Sequence, residues 1–321
     1  MMIKIILNQF ANLLLSLFGL SLLSFLLSLL FPTDTIYSYQ QTNLFEKYWF
    51  YLNQIISLEW GTSLIHGRNV FNDFILNLPA TIELIFFAFA FAAIIGIPLG
   101  VWSAQHKFSY KDKTVLFGSL MGYSLPIYWW ASILVLFFSV SLGLTPVAGR
   151  IGFEYEIQPV TGFILIDSLI SDTPYKIDAF YNALKHLFLP AVVLGTVPMA
   201  IFVRITRSAM IDVLSSDFIR AAKSRGLAHH KVLWHHALRN VMLPVLTAMS
   251  IQISVLLTGI LITEIIFSWP GIGKWLLEAV HRRDYATIHG GILAMSSLVI
   301  ITNMVIQVVS HYFNPELRFK R

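Results

Sequence analysis

Asp217-Phe-Ile-Arg-Ala-Ala-Lys-Ser-Arg-Gly226, running on through Leu227 to Leu243-Pro244, is the stretch on which the fold class turns. It is a basic, alanine-rich polar break between two apolar runs. Ser215-Ser216-Asp217 reads as a helix start, with a serine cap and an acid in the first turn. Phe218, Ala221, Ala222 and Arg225 fall at i, i+3, i+4 and i+7, so they line one helix face. Alanines there leave a narrow helix that fits a groove in another protein, and Gly226 is a natural stop. A second basic helix from about His229 leads into Pro244 and the next apolar run. A loop that merely fixes membrane topology would explain the charge. It would not explain the cap, the alanine face and the glycine together.

The rest of the chain is composed for hydrocarbon. Of 321 residues 56% are hydrophobic and 12% charged, about half the roughly 25% charge of a soluble domain. Mean hydropathy is +0.71. Apolar segments at 8–31, 79–104, 115–143, 187–206, 241–267 and 288–312 are each near the roughly 20 residues needed to cross a bilayer. They predict an all-α, polytopic, six-span membrane protein forming one domain over 1–321. The first run is longer than a signal-peptide core of about 7–15 residues and ends in Phe31-Pro32-Thr33-Asp34, which reads as an uncleaved span.

Charge orients the spans. With the N-terminus inside, the inner side holds 14 of the 22 Lys and Arg residues and only 4 of the 17 acids, so the 207–240 loop is cytoplasmic. The outer segments are 32–78 and 144–186. The first is rich in aromatics (Trp49, Phe50, Tyr51, Trp60), which suits a short helix at the headgroup level. The second is mildly acidic and reads either as a solvated loop or as a docking surface for a partner or a cationic solute. Pro98, Pro126 and Pro198 are expected to interrupt their helices. Gly96-Ile-Pro-Leu-Gly100 carries the small-xxx-small spacing of close helix packing.

Several chemistries find no support. There is no cysteine, which removes thiol nucleophiles and disulfides. Basic residues in a polytopic chain report topology, so nucleic acid is not an expected partner. Gly271-Ile-Gly273-Lys274 fails as a phosphate loop: Ser268 and Trp275 stand where a Gly and a Ser or Thr are required. His229, His230, His235 and His236 lack the i, i+4 spacing of helix-borne metal ligands. Charge within the spans is scarce, and Glu83 and Glu264 are placed near outer span ends, where such groups snorkel or pair.

The segment Arg220-Ala-Ala-x-x-x-Gly226 with Leu243-Pro244 resembles the coupling loop of bacterial ABC-importer permeases. Arg220 stands where their consensus has Glu, and the Gly-to-Pro spacing is long; both departures resemble the oligopeptide/dipeptide permease branch. Leu78-Pro-Ala-Thr-Ile-Glu83, Trp234-His-His-Ala-Leu-Arg-Asn240, Phe267-Ser-Trp-Pro-Gly-Ile-Gly273 and Arg283-Asp-Tyr285 agree with it. Tyr155 to Phe163 with Leu165-Ile-Asp-Ser168 is most similar to the Sap-type branch, which takes up antimicrobial peptides.

The resemblance implies a type I (MetI-like) transmembrane domain in a bacterial inner membrane, with both termini cytoplasmic. It implies peptide import that contributes to peptide resistance. The expected partners are a second permease subunit forming a heterodimer, two ATP-binding subunits and a periplasmic solute-binding protein. ATP would be hydrolysed by those partners, with no cofactor held here. Asp217, Phe218, Arg220, Ala221, Ala222, Arg225 and Gly226 would form the coupling helix seated on an ATPase. Transport of putrescine or another small cation, export included, is the alternative. A membrane enzyme or sensor has no catalytic constellation to support it.

Overall fold

The computed structural model describes residues 2–30 and 43–313, of which 2–6 and 310–313 as backbone only. The first part of the outer segment, residues 31–42, the Lys4 side chain and the charged stretch 314–321 lie outside the described residues.

Among the described residues the regular elements are helices, beside one isolated antiparallel bridge between Thr62 and Asn69. In order they are α1 (Met2–Leu30), α2 (Leu44–Ile56), α3 (Val70–Gln105), α4 (Tyr110–Ser124) and α5 (Ile127–Ser141). Then follow α6 (Ile164–Ile170), α7 (Lys176–Leu214), α8 (Asp217–Ser224), α9 (His229–Ile266), α10 (Ile272–Arg282) and α11 (Tyr285–Phe313). Segments of α1, α3, α7, α9 and α11 are each long and apolar enough to span a membrane. The segment expected as the third span, interrupted at Pro126, is the pair α4 and α5, bent by 110°.

The bend has a local cause. Leu125 caps α4 in extended conformation (φ −76°, ψ 133°), as the residue before a proline prefers, and Pro126 opens α5 as its N-cap. The other two prolines are tolerated within their helices. Pro98 lies inside α3 and Pro198 inside α7, and neither ends its helix. In hydrocarbon a helix carries on past a lost hydrogen bond because no water offers the backbone an alternative partner.

The chain forms two compact units. The first comprises Met1–Glu83, Ala148–Leu184 and Ile260–Val308. Its core is Val70, Phe74, Ile272, Trp275, Ala294 and Met295. Within it α1 and α2 form a hairpin: the Tyr51 hydroxyl donates to Ser24 at 2.6 Å, Tyr48 and Ser21 share a 2.8 Å bond, and Phe25 packs its ring against both tyrosines. The opposite face of α2 leaves Phe45 and Trp49 exposed, as expected of a helix at the headgroup level.

The second unit comprises Leu84–Val147, Lys185–Gly259 and Val309–Arg321. Its core is built from α3 (Val101, Ala104), α7 (Met210), α8 (Ile219) and α9 (Val232, Leu233, Ala237, Val241, Val245). Here α3 and α7 touch backbone to backbone. A β-carbon on Gly96 would lie 2.8 Å from the Met199 carbonyl oxygen, and one on Gly100 would lie 2.8 Å from that of Val203. The glycine spacing therefore does mark close packing.

Candidate functional site

The polar stretch at 217–226 is a short helix whose ends are set by its own sequence. Ser216 occupies the N-cap position, but its side chain makes no cap; the hydroxyl turns back and donates to Val213 O at 2.5 Å. That corrects the expected serine cap: the hydroxyl is used to close the last turn of α7. Asp217 stands in the first turn and pairs instead with Arg220. Gly226 has φ +75°, a left-handed conformation, and its N–H donates to Lys223 O at 2.9 Å, which ends the helix as a glycine does best.

The face α8 presents is not quite the one its spacing suggests. Ile219 is fully buried in the core of the second unit, and Ala222 is nearly fully buried as well. Asp217, Phe218, Arg220, Ala221, Lys223 and Arg225 are exposed. Of the four positions expected on one outward face, Phe218, Ala221 and Arg225 are outward and Ala222 points in. The reason is Ile219: burying this one large apolar side chain rotates the helix and takes its i+3 neighbour inward with it.

A buried ion pair underpins this site. The Arg207 guanidinium donates to both oxygens of Asp112 (2.6 and 2.7 Å), and Ser103 Oγ (2.5 Å) and Phe108 N (2.8 Å) donate to the same carboxylate. Asp112 is 1% exposed. The connection between α3 and α4 is thus tied to α7 ten residues before α8 begins.

Among the described residues of the first unit Asp73, Glu83, Asp167, Glu264 and Asp284 are buried carboxylates. Glu264, 0% exposed, accepts from Thr81 Oγ1 (2.6 Å), Gly273 N (2.6 Å) and Lys274 N (3.3 Å), while Ile272 N donates to Thr81 Oγ1 (2.9 Å). The first three N–H groups of α10, orphans in any helix, are all satisfied. Their dipole end faces a carboxyl group supplied by the chain itself. Gly271 and Gly273 are small because Glu264 lies where a side chain would project from either. The glycine motif that fails as a phosphate loop is thus a carboxylate cradle.

Glu83 accepts two bonds from Arg150, at 3.0 and 2.6 Å, and one from Leu165 N at 3.2 Å. Arg150 also donates to Gly162 O and lies 5.7 Å from the Trp269 ring centroid. Asp284, 0% exposed, accepts from Ser63 Oγ, Leu64 N, Thr287 N and Thr287 Oγ1. Glu83 thus pairs as expected of it. Glu264 neither snorkels nor meets a base, and the glycines at 271 and 273 were the only signal in the sequence of what holds it.

Residues 96–319 match the family described as binding-protein-dependent transport system inner membrane component. The chain is 46% identical over 278 residues to the di/tripeptide transport system permease protein DppB of Pseudomonas aeruginosa, covering 87% of this chain and 82% of that protein. It is 36% identical over 314 residues to the peptide transport system permease protein SapB of Salmonella typhimurium, covering 98% and 97%. The same identity and coverage hold for the putrescine export system permease protein SapB of Escherichia coli.

Proposed function

The chain belongs to the family of binding-protein-dependent transport system inner membrane components, and on that premise we propose that it is the permease subunit of an ATP-driven peptide importer. It sits in a bacterial inner membrane as a multi-pass protein, forms part of the translocation path, and leaves ATP chemistry to partner subunits. The names of its relatives favour di-, tri- and oligopeptides as cargo, with antimicrobial peptides among them. The partners under this reading are a second permease subunit, two ATP-binding subunits and a periplasmic binding protein. Both termini are cytoplasmic, in line with the Lys and Arg excess on that side.

The observation that carries the reading is the two-sidedness of α8. On its inner face Ile219 is bolted into the core that also holds α3, α7 and α9, and Ala222 is buried on the same side. Its outer face leaves Phe218 46% exposed beside Arg220 and Arg225. A helix so placed passes a push on its outer face directly to three spans. Asp217, Phe218, Arg220, Ala221, Arg225 and Gly226 meet the ATPase, and Ala222 holds the helix in place.

One relative is named for putrescine export, so cargo is tested in both directions. Proteoliposomes containing the complete transporter, with the binding protein on one side and ATP on the other, should move labelled tri-alanine from the binding-protein side to the ATP side, and should neither import nor export labelled putrescine. ATP-dependent putrescine movement without peptide uptake would replace the peptide reading.

A further inference from the structure

The break between α4 and α5 is held at mid-depth of the bundle by contacts confined to the second unit. Along α7 the partners of α4 and α5 run in order. Asp112 meets Arg207, Trp130 Nε1 donates to Thr196 Oγ1 at 3.0 Å, and the rings of Phe138 and Phe188 lie 6.5 Å apart. The contacts of the pair thus run down α7 against its chain direction, before the bend and after it. Gly122 is pressed against Thr196, where a β-carbon would lie 2.6 Å from Cγ2. Thr196 is the middle of the 187–206 span, so Leu125-Pro126 stands about 15 Å from either face of a roughly 30 Å hydrocarbon layer.

A helix break at that depth frees a turn of backbone groups on each side. Irregular backbone at membrane depth persists only where it is buried in protein or faces water. Here it is not buried in its own chain. Tyr123, Tyr128 and Trp129 are 52%, 63% and 64% exposed, and Ser124 and Pro126 are exposed too. The hydroxyls of Tyr123, Ser124 and Tyr128 make no hydrogen bond among the described residues, although an idle hydroxyl facing lipid costs free energy.

From this juxtaposition we infer that the α4–α5 break opens onto the water-filled translocation path, and that Tyr123, Ser124 and Tyr128 contact the main chain of the peptide in transit. This rests on the peptide-importer reading. A hydroxyl both donates and accepts, so it serves the N–H and C=O groups that every peptide carries, whatever its side chains. The aromatic faces of Tyr123, Tyr128 and Trp129 add apolar contact without charge. Such a surface suits cargo of varied sequence.

The absence of cysteine from this chain makes the test direct. In the complete transporter in membrane vesicles, Ser124→Cys, Tyr128→Cys and, as a control at a fully buried position, Ala131→Cys are treated with a membrane-impermeant thiosulfonate reagent, with and without tri-alanine, in ATP-free and vanadate-trapped states. Modification at 124 and 128 but not at 131, slowed at least threefold by tri-alanine, is the expected result. No modification at 124 and 128 in any state would overturn the inference, as burial against another subunit predicts. Modification unaffected by peptide would also overturn it, as a break lying at the membrane surface predicts. Tri-alanine uptake by the unmodified transporter is measured alongside: its absence would remove the peptide reading itself, a failure distinct from that of the labelling.

Discussion

The Thr81 hydroxyl donates to the Glu264 carboxylate at 2.6 Å across 183 residues of sequence, and the same oxygen accepts from Ile272 N. One side chain thus joins α3 to the end of α9 and the start of α10. Thr81→Val keeps the volume and deletes both bonds, leaving a fully buried carboxylate short of a donor. The expected cost is about 1–3 kcal/mol, read as a lower midpoint of thermal aggregation of the detergent-solubilised protein. Thr81→Ser should stay near the unmodified protein. A loss in Thr81→Ser with none in Thr81→Val would show that the methyl group, and not the hydroxyl, matters.

Asp112 and Arg207 form the corresponding link in the second unit, and both are mostly shielded from water. Removing one partner of a buried pair leaves an uncompensated charge, so Arg207→Ala alone should destabilise by roughly 3–5 kcal/mol. Asp112→Asn in the Arg207→Ala background should recover part of that loss. A double-mutant cycle on thermal stability checks this: strict additivity would mean the two side chains do not depend on each other.

Much of this was legible beforehand. Apolar run length gave the spans, because hydrocarbon thickness leaves little choice. Gly96 and Gly100 announced a close helix contact. The partners of Glu264, Asp284 and Asp112 were not legible, since Thr81, Ser63 and Arg207 lie 183, 221 and 95 residues away in sequence and no local pattern encodes which hydroxyl or guanidinium arrives. Ser216 misled for a subtler reason: a serine between two helices can cap the second or close the first, and only the three-dimensional turn decides. Likewise the face of α8 depends on where Ile219 finds a core, and α3, α7 and α9 supply that core from far along the chain.

Gly226 separates backbone strain from docking. Its φ is +75°, and no atom lies within 4 Å of where a β-carbon would project. Asn tolerates left-handed backbone whereas Val does not. Gly226→Asn should therefore keep thermal stability, and Gly226→Val should lose about 1–2 kcal/mol. If this open space is where the ATPase seats, both variants should lower peptide uptake and ATPase co-purification. Full uptake in Gly226→Asn would place the ATPase elsewhere on the chain.

Ile219 and Phe218 are neighbours with opposite fates, and comparing them tests how α8 works. Ile219 is fully buried among Val101, Met210, Val232 and Val241. Ile219→Ala removes three carbons from a packed core and should cost about 2–5 kcal/mol. Phe218 is 46% exposed, so Phe218→Ala should change stability by no more than about 0.5 kcal/mol. Its effect should appear in function: less ATPase bound per permease, and a loss of peptide uptake greater than the loss of ATP hydrolysis. The decisive reading is the ratio of peptide transported to ATP hydrolysed in proteoliposomes. A ratio unchanged by Phe218→Ala, with normal ATPase association, would mean that the exposed face of α8 carries no coupling force.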